Sequence, residues 1–119
     1  MGVSRLWCIA VVAISAALAR AEEPYHTVVA PVGPENPRNS EAAIIPLKDG
    51  TLLLGWTEFY AGNGADHGPA RISGKRSNDG GKTWGEKFTL VENDGGCNVM
   101  EVNFLRSKAG GILLFYCQK

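Results

Sequence analysis

The sequence predicts an all-β chain assembled from small repeated sheets, and three observations carry that prediction. Apolar residues fall in short alternating runs bounded by Gly, Asn, Asp and Pro, and no helix-period stretch occurs beyond the first twenty-one residues. The run Ser77-Asn78-Asp79-Gly80-Gly81-Lys82-Thr83-Trp84 fills every fixed position of the pattern S-x-D-x-G-x-T-W. There Asp79 and Ser77 can bond backbone a few residues on, while Gly80 and Gly81 can take positive φ where the chain reverses. Thr83 and Trp84 then open a strand, with the indole over the sheet edge. Lastly, Glu41–Trp56 aligns with Glu101–Tyr116 sixty positions later, sharing Glu, Lys, Gly and two Leu. Such a period suits stacked or radial β units.

The elements follow in order. Arg5 followed by the apolar run Leu6–Ala19 reads as a secretory signal peptide over residues 1–21. Ala19-Arg20-Ala21 gives a small-x-small cut before Glu22, and Ala17-Leu18-Ala19 offers an alternative. The run is too short for a comfortable membrane span, so no stable span is expected and the protein is read as secreted or periplasmic. Residues 22–41 hold a short strand, Tyr25–Ala30, and a connector rich in Pro, Gly and Asn. Residues 42–97 form a four-stranded unit with strands near Ala42–Leu47, Thr51–Phe59, Ala70–Ser77 and Trp84–Glu92. Asp49-Gly50 is its first hairpin, and Ala61–Pro69 is a loop carrying Asp66 and His67. Residues 98–119 read as the first half of a second unit, turning at Ala109-Gly110-Gly111.

Composition excludes several classes. The 119 residues carry twelve basic and twelve acidic side chains, scattered rather than clustered, so nothing suggests nucleic-acid binding. His26 and His67 do not stand at metal-ligand spacing with the cysteines, and no metal or cofactor is expected. Gly80-Gly81-Lys82-Thr83 lacks the earlier Gly of a phosphate loop and opens no helix. Beyond the leader, Cys97 and Cys117 flank the second hairpin. A disulfide between them and two free thiols both remain open readings, the short loop giving a bridge little to stabilise.

The S-x-D-x-G-x-T-W turn resembles the Asp-box of sialidases and related β-propellers, where it joins the third and fourth strands of a blade. The resemblance implies a six-bladed β-propeller. At roughly sixty residues per blade, this chain covers about one and a half of the four to eight blades that close such a ring. It is therefore read as the N-terminal part of a longer protein. A complete small β domain is the alternative, at the cost of unpaired edges and uncovered apolar faces.

The resemblance extends to site residues. In the family a loop Asp precedes a strand ending in Arg-Ser by about ten residues, and Asp66 and Arg76 keep that distance. The resemblance implies that Asp66 is the general acid/base, protonating the departing glycosidic oxygen; a loop Asx-turn is the plain alternative. Sialidases use Tyr, activated by Glu, as nucleophile, because a carboxylate would be repelled by the substrate's own carboxylate. They hold that carboxylate with three arginines. Arg38 is the one arginine near the first position, displaced by a couple of residues and lacking the Ile-Pro that should follow. Thr57-Glu58-Phe59-Tyr60-Ala61 offers none at the second. Glu41, Glu58 and Tyr60 stand there instead and could line a sugar pocket or be solvated strand ends. Asn39-Ser40-Glu41 is similar to an Asn-Ser-Glu run in sialidase-like proteins, and the recurrence of Glu at Glu101 argues for a structural part. The third arginine, the Tyr and its Glu would lie in later blades. The implied function is an exported exo-glycosidase acting on sialic-acid-like sugars, with carbohydrate as partner and oligomeric state open. A non-catalytic glycan- or protein-binding propeller and an inactive product are the alternatives.

Overall fold

The computed structural model describes residues 23–94 and 96–119. Six strands run β1 Arg38–Pro46, β2 Leu52–Phe59, β3 Ala70–Ser77, β4 Phe88–Val91, β5 Val99–Arg106 and β6 Ile112–Gln118. The first four make an antiparallel sheet in sequence order, and β5 pairs with β6 in a second antiparallel sheet. Among the described residues the chain is all-β, in line with its period-two patterning. The signal-peptide reading over residues 1–21 lies outside the described residues. Among those described, no helix is long and apolar enough to cross a membrane.

The sixty-residue repeat is structural. In the first hairpin Leu47 N donates to Thr51 O at 2.7 Å and Gly50 N to Leu47 O at 3.2 Å. In the second, Ser107 N donates to Gly111 O at 2.8 Å and Gly110 N to Ser107 O at 2.9 Å. Gly50 and Gly110 both sit at positive φ, where a Cβ would be strained. The correspondence reaches a feature the residue types do not announce. The β1–β2 register slips between Ser40 and Ala43, and the β5–β6 register between Met100 and Asn103. Each slip is a bulge containing a glutamate at positive φ, 40° at Glu41 and 65° at Glu101.

Three expected boundaries change. Tyr25–Ala30 is not a strand: its carbonyls are taken by side chains, Val29 O from Lys75 Nζ at 2.9 Å and Ala30 O from Asn39 Nδ2 at 2.9 Å. The fourth strand starts at Phe88 rather than Trp84, because the turn closes with Gly85 N donating to Arg76 O at 2.9 Å and leaves residues 83–87 outside the ladder. The first strand begins at Arg38, earlier than Ala42, because pairing continues on the far side of the Glu41 bulge.

The Asp-box is a closed hydrogen-bond unit. Ser77 Oγ donates to Asp79 Oδ1 at 2.8 Å and accepts from Gly81 N at 2.8 Å. Asp79 accepts from Thr83 N at 2.8 Å and Thr83 Oγ1 at 2.6 Å. Trp84 Nε1 donates to Gly81 O at 3.0 Å, which turns the indole toward Gly81 and Leu52. The Thr83 hydroxyl, then its amide, then the Ser77 hydroxyl favour the ionised form of Asp79 and hold its carboxyl down at about 2.

The two sheets meet through backbone. β5 packs across β1, β2 and β3. Ile72, Val99 and Val102 form the buried centre, with Ala43, Leu90, Val91, Phe104 and Leu114 around it. Gly55 and its β3 partner Gly74 make the approach possible. A Cβ on Gly55 would lie 2.9 Å from Phe104 Cζ, and one on Gly74 2.9 Å from Leu90 Cδ1. Gly55→Val is accordingly expected to destabilise the chain by about 1–3 kcal/mol through overpacking. Gly33→Ala, with no atom within 4 Å of the added carbon, should stay within about 0.5 kcal/mol of the parent. Equal denaturation midpoints for the two variants would contradict this packing.

Asp79 makes a second prediction. Its folded carboxyl titrates near 2 against an ordinary 3.8, so the unfolded chain takes up that proton first as the pH falls. Its contribution is therefore complete above pH 3.8 and is lost on descending toward pH 2. Melting curves of the parent and Asp79→Asn should differ most above that window and converge below it. A gap that does not depend on pH would show that the carboxylate charge is not what the turn uses.

Candidate functional site

At one end of the first sheet the chain gathers Arg38, Glu41 and Asp66. Arg38 opens β1 opposite Phe59, the last residue of β2, and its guanidinium lies over the Phe59 ring at 4.7 Å. The loop between β2 and β3 then bends back over it. Asn63 Oδ1 accepts from Ala65 N at 3.1 Å, so the Asx-turn of this loop belongs to Asn63. Gly64 passes at positive φ with its would-be Cβ only 2.9 Å from Arg38 Cβ, an approach that excludes a side chain. Arg38 Nη1 donates to Gly64 O at 3.1 Å and to Asp66 Oδ1 at 2.5 Å, and Arg38 Nη2 lies 3.7 Å from Glu41 Oε1. The hydrogen bond from Arg38, then its charge, holds the Asp66 carboxyl below the usual range. The Asp66 side chain is 73% exposed, so a ligand could reach it.

Glu58 and Tyr60 belong to a different place. Glu58 pairs across the ladder with Arg71, on the opposite face from Arg38, and is only 1% exposed. Its carboxylate accepts from Ser73 Oγ at 2.6 Å, from Arg71 Nε at 2.8 Å and from Lys87 Nζ. Burial alone would raise its pKa, but the bonds from Lys87, Ser73 and Arg71 outweigh it and the carboxyl stays low. A carboxylate with this many donors ties β2, β3 and the approach to β4 together and has little capacity left for a sugar. Arg71 also lies over the Tyr60 ring at 5.3 Å, and Tyr60 Oη accepts from Asn93 Nδ2 at 3.2 Å.

The two bulge glutamates share a third location. Glu41 and Glu101, with Ala42, Val102 and Asn103, line a cleft of about 340 Å³ between the sheets. Ser40 Oγ donates to Glu41 Oε2 at 2.7 Å. The amide that the second bulge frees from its ladder crosses to the first sheet, Glu101 N donating to Thr57 Oγ1 at 3.1 Å. The repeated glutamate thus marks a backbone device as well as a carboxylate.

Among the described residues, Cys97 and Cys117 are free thiols. Met100, not Cys97, stands opposite Cys117, while Cys97 N reaches Lys119 O at 2.9 Å, so the register sets the two thiols apart. Cys117 Sγ donates to Glu101 Oε2 at 3.1 Å, and that carboxylate pushes the thiol pKa up.

Three residues were not singled out from sequence. Arg71 and Lys87 come to Glu58 through the β2–β3 register and the turn that follows; placing Thr51–Phe59 against Ala70–Ser77 was the available signal for Arg71. Asn98 is fully buried against the Asp66 loop, and nothing in its sequence neighbourhood marks it.

No protein-family model and no curated protein matches the chain. The reading of the site therefore rests on its geometry.

Removing the Glu58 carboxylate would leave the Ser73 hydroxyl without its buried acceptor and Arg71 and Lys87 without their anion. Glu58→Ala should cost about 1–3 kcal/mol in chemical denaturation. If Glu58 were mainly a ligand contact, stability would be unchanged while ligand binding fell.

Proposed function

We propose that the chain supplies the first blades of an exported, six-bladed sialidase-like propeller that acts on sialic-acid-like sugars. The observation carrying this reading is the Arg38–Asp66 pair at 2.5 Å, a loop carboxyl and a β1 guanidinium at one open end of the sheet. The propeller reading is supported by the repeat of faces. Leu53 and Gly55 belong to the face that β5–β6 covers, and sixty residues later Leu113 and Phe115 occupy the outward face of β6, both exposed. Leu105, paired with Leu113, extends that apolar surface. A ring in which each sheet is covered by the next gives it a neighbour.

The chemistry follows from the pair. A guanidinium fork suits a carboxylate, and a sugar carboxylate taking Arg38 would displace Asp66 from it. Freed of its cation, Asp66 would regain affinity for a proton, which it can pass to the glycosidic oxygen as the bond from that oxygen to the sugar breaks. Attack at the anomeric carbon belongs to a Tyr and its Glu partner, which the sialidase resemblance assigns to later blades. A second reading, a non-catalytic propeller that binds glycan or protein, is favoured by a specific feature. No arginine follows β2 within Thr57–Ala61, and Arg71 is held by Glu58.

The test is an NMR titration of the chain with N-acetylneuraminic acid. Shifts at Arg38 and Asp66, with the Asp66 carboxyl titrating at higher pH when ligand is bound, are expected. Galactose should leave these signals unmoved. Equal responses to both sugars, or none to either, would overturn the carboxylate-site reading. In a protein carrying all six blades, Asp66→Ala should abolish turnover of a fluorogenic sialoside, and retained turnover would remove its acid/base role.

A further inference from the structure

The loop that carries Asp66 is held from the other sheet. Asn98 lies immediately ahead of β5 and is 0% exposed. Its Nδ2 donates to Asp66 O at 3.0 Å and to Gly68 O at 2.9 Å. The carbonyl between them, His67 O, accepts from Cys97 Sγ at 3.2 Å. Three consecutive loop carbonyls thus face donors from two consecutive residues. The clamp itself is fixed by β6, since Asn98 N donates to Lys119 O at 3.3 Å and Asn98 O accepts from Lys119 N at 2.9 Å. On the loop side, Gly68 N donates to Ala65 O at 2.7 Å and closes the turn around Asp66.

Chemistry restricts what can stand at this position. One short amide nitrogen carries two hydrogens and can serve two carbonyls on one strand of loop. Aspartate, of the same shape, has no donor when ionised, and leucine fills similar volume with none. The loop carbonyls of Asp66 and Gly68 would then lose partners in a partly buried setting, where an unmade hydrogen bond costs stability.

We propose that Asn98 is a positioning residue for Asp66, setting the loop so that the Asp66 carboxyl meets the Arg38 guanidinium. The inference rests on the reading of Asp66 as the reacting carboxyl for its meaning, but not for its test. It also makes the site a product of both sheets: the first provides Arg38 and the loop, the second the clamp. The titratable groups that bear on the Asp66 carboxyl include Arg38, Lys119 and His67, and Arg38 bonds it.

The experiment follows the Asp66 carboxyl by carbon-detected NMR across pH in the full chain, in the parent, Asn98→Ala and Asn98→Leu. In both variants the Asp66 titration should move up toward the ordinary carboxylate range, and amide exchange at residues 66–68 should quicken at least tenfold. The carboxyl of Asp79, in the Asp-box turn, should keep its titration near 2 and serves as the control for the fold. The leucine variant keeps the site filled should a cavity disturb the alanine one. An unmoved Asp66 titration, or one that moves only together with Asp79, overturns the proposal. Sialoside turnover that survives Asp66→Ala would end the acid/base reading while leaving the positioning result as it stands.

Discussion

The structure depends on how closely β5 can approach the first sheet. Gly55 and Gly74, opposed across β2 and β3, remove the side chains that would hold the sheets apart, and Phe104 and Leu90 fill the space left. Leu90 reaches it because the β3–β4 register slips between Ile72 and Ser73, leaving Leu90 without a ladder partner. The Glu101 bulge then spends its unpaired amide on Thr57, a buried hydroxyl of the first sheet. Close packing and a polar tie act at one contact. Since interiors are packed as densely as organic crystals, a single methyl group at Gly55 would be felt throughout it.

The two groups of charged residues differ in burial. On the far face of β2, Glu58 is buried and shared among Arg71, Ser73 and Lys87, an arrangement that locks strands and leaves the carboxylate little free acceptor capacity. On the near face, Arg38 and Asp66 sit at the open end, with Gly64 O and Glu41 also beside the guanidinium and Asp66 mostly exposed. The same residue types yield a buried structural brace on one face and an exposed ion pair on the other. An exposed pair contributes little to stability, so its loss would cost the fold little. A brace such as Glu58 has no such freedom.

Much of this was legible in the sequence, and the parts that were not share a physical cause. The Asp-box could be read because Ser77, Asp79, Gly81 and Thr83 satisfy one another within seven residues, so local chemistry fixes the shape. The hairpins at Gly50 and Gly110 were legible for the same reason. The bulges at Glu41 and Glu101 were not, because glutamate does not advertise positive φ; only its recurrence at the repeat hinted at a constraint. Tyr25–Ala30 has the alternation of a strand, yet side chains of Lys75 and Asn39 take its carbonyls before any strand can. Lys87 and Asn98 were invisible because their partners lie about thirty residues away, across sheets or turns rather than along a motif.

The repeat carries the argument one step further. If sixty residues specify one sheet and the way it receives the next, each sheet must offer a small, flat patch on one face and project bulk from the other. The first sheet offers Gly55, and the second sheet projects Phe104 onto it. In the second, the position of Gly55 is taken by Phe115, while Phe104 keeps the bulk that Ile44 has in the first, so the second sheet is bulky on both faces. Phe115 and Ile44 are both exposed. A neighbour for the second sheet must therefore differ in shape from the second sheet itself, with a hollow where Phe104 projects. Identical units stacked without adjustment would collide at Phe115, and that asymmetry is the strongest constraint the two sheets place on whatever adjoins them.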